Sequence, residues 1–106
     1  MASLAAAQRL MDRFPDCGGL RLNPATAAGR DVESIVPNLA EAEVFAAVHP
    51  CNNSKLSKDI DRLSQSKADN RFVFFYCPSG EPSKRCVEKA KNAKIEICRL
   101  TNTEVM

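Results

Sequence analysis

The sequence predicts an α/β fold in one domain spanning residues 1–106, with elements in the order α-β-β-β-α-β-α-β and a central mixed sheet flanked by helices. Three observations predict it. Alternating and continuous apolar runs of strand length are interleaved with stripes at helical spacing. With 106 residues the chain can hide about 65% of the surface its unfolded form exposes, enough for one sheet and a few helices. Apolar residues at 44% and charged residues at 26% place it with globular rather than disordered chains.

Residues 2–14 read as a helix, with Leu4, Ala7, Leu10, Met11 and Phe14 on one stripe, Ser3 as N-cap, and Pro15, Gly18 and Gly19 ending it. Three strands follow. The first covers 19–23 and is closed by Pro24. The second covers 29–36 and is built on Val32, Ile35 and Val36. The third covers 40–49. Its even positions Ala40, Ala42, Val44, Ala46 and Val48 are apolar, and its odd positions run Glu41, Glu43, Phe45, Ala47, His49, giving a core face and a mixed face. A helix over 39–47 is the alternative for this Ala/Glu-rich stretch.

Pro50 stops the third strand, and Asn52, Asn53 or Ser54 caps a second helix running to about Ser66. Leu56, Ile60 and Leu63 form its buried stripe, with Lys55, Lys58, Asp59 and Arg62 elsewhere on it. The run RFVFFYC at 71–77 fits a central strand covered on both faces. After the turn CPSGEPS, Pro82 stands near the first position of a third helix that runs to about Asn92 and buries Cys86, Val87 and Ala90. Asn92 suits the left-handed conformation that closes a helix. A last strand at 94–100 rests on Ile95, Ile97 and Arg99, and TNTEVM is expected to fray.

The net charge of +2 is divided unevenly. Residues 1–50 hold four Arg against six acids, and residues 51–106 hold eleven Lys and Arg against seven acids. The second half is thus the one suited to phosphate, with solvated helix faces as the plain alternative. The five Cys lack C-x-x-C spacing and the only His is His49, which argues against a disulfide scaffold and a thiolate zinc site and for a reducing compartment. The first 14 residues are too short and polar for a signal peptide and nothing approaches a membrane span, so a soluble cytoplasmic protein with no membrane partner is expected.

In the second half SKLSKDIDRL leads to RFVFFYCPSG and then to EPSKRCVEKAKNAKIEICRL: helix, apolar strand, serine-glycine turn, Lys-rich helix, closing strand. With the preceding strands, this layout resembles the restriction-endonuclease-like, or PD-(D/E)XK, nuclease superfamily, most closely its Mrr-type modules, over about residues 29–100. The resemblance implies a restriction-endonuclease-like core and Mg²⁺-dependent phosphodiester hydrolysis on DNA. Such chemistry needs a divalent metal to neutralise developing charge and acidify a water, carboxylates to hold it, and a Lys to orient the water.

The first Asp of the family's pattern matches Asp31 in GRDVES and the acid of the triplet matches Glu43 in AEVFAAV; these would be the catalytic and metal-holding residues. The triplet's Lys position is Phe45, and Arg30 stands where the family has Pro. Lys55 or Lys58 on the following helix would then replace the Lys. Read from residue type alone, Asp31 is also compatible with an exposed turn acid, Glu43 with a strand Glu paired to a Lys, Lys55 and Lys58 with solvated helix residues, and His49 with a strand end.

In the turn PSGEPSKR, Ser79, Lys84 and Arg85 are candidate contacts to DNA phosphates at a helix N-terminus. The turn lacks the G-x-x-x-x-G-K-[ST] spacing, so no nucleotide cofactor is expected. Cys77 and Cys86 are nine residues apart, which argues against a thioredoxin-like dithiol. Two alternatives stand beside the endonuclease: a catalytically inactive nuclease-fold module for nucleic-acid binding or protein interaction, favoured by Phe45, and an unrelated α/β interaction subunit whose open sheet edge pairs into a homodimer.

Overall fold

The computed structural model describes residues 2–23, 31–46, 53–76, 82–101 and 103. It contains α1 (Ala2–Arg13), β1 (Leu20–Leu22), β2 (Val32–Ser34), β3 (Ala40–Ala46), α2 (Asn53–Ser64), β4 (Asn70–Tyr76), α3 (Lys84–Asn92) and β5 (Glu96–Arg99). The element order and the mixed sheet are those the sequence predicts. The strands lie in space in the order β1-β2-β3-β4-β5. β1, β2 and β3 form an antiparallel meander, and β3, β4 and β5 run parallel, each joined to the next through a helix.

The sheet is covered on both faces. Towards α1, Ala6 and Leu10 pack with Val32, Ala40, Ala42, Phe72, Phe74 and Leu100. Towards α2 and α3, Leu56, Ile60 and Leu63 pack with Val73, Cys86, Ala90 and Ile95. β4 supplies both cores, because alternate side chains leave a strand on opposite sides. Phe72, Val73, Phe74 and Phe75 are accordingly all buried.

The structure moves several expected details. On α1 the buried stripe is Ala6, Leu10 and the half-buried Phe14, whereas Leu4 and Met11 are exposed. Those two share a flank about 100° round the helix from Leu10, and the alanines opposite give the helix its small-residue contact with the sheet. Past Val36 the chain turns away from β2, with Asn38 at φ 61°. β1 and β2 are continued by Ile35 donating to the Gly19 carbonyl and Val36 to that of Cys17. Gly18 and Gly19, at φ 76° and 102°, provide this reversal after α1.

At α3 the cap is Ser83, whose Oγ accepts the Cys86 N–H, and Pro82 precedes the cap instead of opening the helix. The left-handed residue that closes α3 is Lys94, at φ 58°, and not Asn92. The helix continues through Asn92 to the cap Ala93, so the reversal falls two residues later and β5 starts only at Glu96. Val87 is exposed, because Cys86 and Ala90 complete the buried face of α3.

One arginine ties both outer helices to the sheet. Arg71, at the start of β4, donates to the Leu63 carbonyl in the last turn of α2 and to the carbonyl of Ala93, the C-cap of α3. The planar guanidinium satisfies two helix-end carbonyls at once. Replacing Arg71 by Ala is expected to lower stability by about 1–3 kcal/mol in urea denaturation, with Lys restoring only part of it. An unchanged midpoint in Arg71→Ala would show that neither helix end depends on it.

Candidate functional site

The site is assembled by the β2–β3 register. Val32 pairs with Ala42 and Glu33 with Glu41, so one step further Asp31 lies opposite Glu43. Asp31 sits just before β2, and its Oδ2 accepts the backbone N–H of Val44 at 2.8 Å, folding the side chain against β3. Glu43 comes from the middle of β3, where its other neighbour is Val73 of β4. It faces α2, and its residue is 0% exposed, far from the partly exposed strand acid that residue type alone allows.

Two residues that the sequence reading places elsewhere on α2 complete the cluster. Asp59 is buried, at 2% exposure. Arg62, one turn on, brings a guanidinium nitrogen to 3.6 Å from Glu43 Oε2 while the rest of its side chain remains half-exposed. The pattern contains a signal for Asp59: it lies about 40° round the helix from the buried Leu63, on the margin of the apolar stripe. Arg62 carries no comparable signal, because only the length of its side chain returns its charge to the sheet.

The electrostatics follow from this crowding. The Glu43 carboxyl is pushed up from its ordinary 4.5 to about 8, first by burial and then by the negative charge of Asp31. Arg62 opposes the shift, and a hydrogen bond to Asp31 and the charge of Asp59 add to it. Near neutral pH Glu43 is thus mostly a neutral acid beside the Asp31 carboxylate. Among the described residues the cluster gathers three acids around one cation, and a positive ion there would favour the ionised form of Glu43.

Of the expected site residues, Asp31 and Glu43 converge. Lys58 is exposed and lines the groove between α2 and α3, and among the described side chains the cation standing against Glu43 is Arg62. Lys55 belongs to the first turn of α2 and Phe45 pairs with Phe75 in the sheet; their side chains lie outside the described residues, as do His49 and Ser79. Lys84 and Arg85 are exposed in the first turn of α3. Glu41 accepts from the Ser66 hydroxyl at 2.8 Å and takes no part in the pair.

Among the described residues, no group of three or more His, Cys, Asp or Glu side chains is arranged to hold a metal ion. Two carboxylates remain a fit for Mg²⁺, which binds through one or two carboxylates and keeps several waters. Cys98 is a blunted thiol: partial burial and the Glu96 carboxylate, which its Sγ contacts at 3.1 Å, push it up to about 12. No helix among the described residues is long and apolar enough to cross a membrane. Comparison with protein-family models, with curated proteins and with solved structures found no match. Fold and site therefore define a mixed-sheet α/β domain in which a half-buried Asp31 faces a buried Glu43 at the junction of the antiparallel and parallel halves.

Proposed function

We propose that the chain is a nuclease-fold domain whose Asp31–Glu43 pair holds a divalent cation for phosphodiester hydrolysis on DNA, in a soluble cytoplasmic protein. The observation that carries this reading is the register that sets Asp31 opposite Glu43, close enough for the charge of Asp31 to act on the buried carboxyl. The restriction-endonuclease-like layout supports it, since a three-strand meander, a crossover helix and a parallel strand are the arrangement that layout requires.

In this reading Asp31 and Glu43 hold Mg²⁺, which supplies Lewis-acid chemistry and an acidified water. The chain's own residues do the rest. Val44 N–H fixes one Asp31 oxygen, and Asp31 is left half-buried at the mouth of the pair. Arg62 compensates Glu43 and offers a permanently charged donor to phosphate; it cannot serve as a proton acceptor, since a guanidinium stays protonated. The role that Phe45 cannot fill falls to Lys55 or Lys58 on α2.

A second reading is favoured by one specific observation: the triplet's Lys position is Phe45, and among the described side chains the cation seated against Glu43 is the arginine Arg62. That combination suits a nuclease-fold module that binds nucleic acid or a protein partner, a second copy included, without cutting. Plasmid cleavage with Mg²⁺ or Mn²⁺ separates the two. Cutting that disappears in Glu43→Ala supports hydrolysis. No cutting, or cutting that persists in Glu43→Ala and so comes from a contaminant, overturns hydrolysis in favour of the module.

A further inference from the structure

The positive charge of this protein is gathered on one layer. α2 and α3 together carry Lys55, Lys58, Arg62, Lys84, Arg85, Lys89 and Lys91 against Asp59, Asp61 and Glu88, a balance of +4. The whole chain carries +2, so everything outside these two helices carries −2. Asp59 is buried beneath the layer and the Arg62 guanidinium turns in to Glu43, so the outer surface keeps the same balance.

Between the two helices runs a groove of about 710 Å³, lined by Ser57, Lys58, Ser83, Arg85, Lys89 and Asn92, with Glu88 an acid on its wall. The groove is braced from inside. The Lys89 ammonium crosses from α3 to donate to Ser57 Oγ at 2.9 Å and pairs with Asp61 at 2.7 Å, both on α2. Lys58 and Arg85, one on each helix, are exposed and face the same channel. A hydroxyl, an amide and cations on two facing walls make up the donor set that meets phosphate oxygens and sugars rather than base edges.

We propose that the α2–α3 groove is a docking track for the phosphodiester backbone of a nucleic-acid strand, with Lys58 and Arg85 contacting phosphates from opposite walls. The proposal rests on the nucleic-acid reading above but not on hydrolysis. It gives Lys58 a place in binding, which leaves Lys55 for the role that Phe45 cannot fill, and separates the surface that holds the strand from the cluster around Glu43. Charge complementarity selects this occupant: the layer presents donors and cations spread along a channel, as a linear polyanion requires.

The test is anisotropy of a fluorescent 20-base-pair duplex with the whole chain, in EDTA, from 50 to 200 mM KCl. The double variant Lys58→Glu/Arg85→Glu is expected to weaken binding about tenfold or more at 100 mM, and to reduce the slope of log affinity against log salt by about 2. Lys67→Glu, an exposed charge past the end of α2, is expected to stay within twofold of wild type. Thermal melts of each variant check folding. No binding by the wild type, an equal loss in Lys67→Glu, or tighter binding to phosphatidylserine vesicles than to the duplex would each overturn the track. Binding in EDTA without cleavage in Mg²⁺ removes hydrolysis and leaves the track; metal-dependent cleavage with unaltered duplex affinity in the double variant does the reverse.

Discussion

Stability is expected to fall as pH rises from 4.5 to 8, and Glu43→Gln is expected to remove most of that fall. In the unfolded chain Glu43 titrates as an ordinary carboxyl; in the native chain burial and the charge of Asp31 hold its proton up to about 8. Between these values the native state keeps a proton that the unfolded state has released, so the free energy of unfolding declines with pH. The contribution is complete below the unfolded value and lost above the folded one. Each unit of displacement amounts to about 1.4 kcal/mol, so the whole effect is a few kcal/mol, large beside the net stability of a domain this size. Gln keeps the shape and removes the charge. Its unfolding free energy, from urea titrations between pH 5 and 9, should cross that of the wild type and exceed it above pH 8. Curves that stay parallel across the range would show that Glu43 titrates normally in the native protein.

The same proton links the pair to metal. A divalent cation binds the ionised carboxylates, so at pH 7 loading the site must displace the proton that Glu43 holds. Calorimetric titration with Mn²⁺ in two buffers of different ionisation enthalpy should report release of about one proton per ion at pH 7 and almost none at pH 9. Asp31→Asn/Glu43→Gln should abolish this binding and reduce any metal-dependent cleavage by at least about a hundredfold, since the metal's share of transition-state stabilisation is several kcal/mol. Identical Mn²⁺ isotherms for wild type and double variant would remove the pair as a metal site. Metal binding with proton release but no cleavage would leave a cation-binding module.

Most of the fold was legible because it rests on local periodicity. RFVFFYC announces a strand covered on both faces, and β4 feeds both cores. Leu56, Ile60 and Leu63 mark the buried face of α2 as their spacing requires. Apolar character alone does not orient every element. Leu4 and Met11 look like core, yet alanines face the sheet on α1. Asn92 looks like the natural terminator, yet Lys94 takes the left-handed turn, since where a helix stops depends on where the next strand is anchored.

The site divides along the same line. By itself the sequence determined the order of elements, the central strand, the basic second half, and Asp31 and Glu43 as the acids to watch. Only the tertiary structure decided that the two meet, because their opposition depends on the antiparallel register, which a one-residue slip would undo. It alone decided that Glu43 is fully covered, that Asp59 lies beneath α2, and that Arg62 brings its charge to Glu43. These are properties of packing: a side chain's neighbours across a sheet and under a helix are distant in sequence, and local pattern carries no record of them.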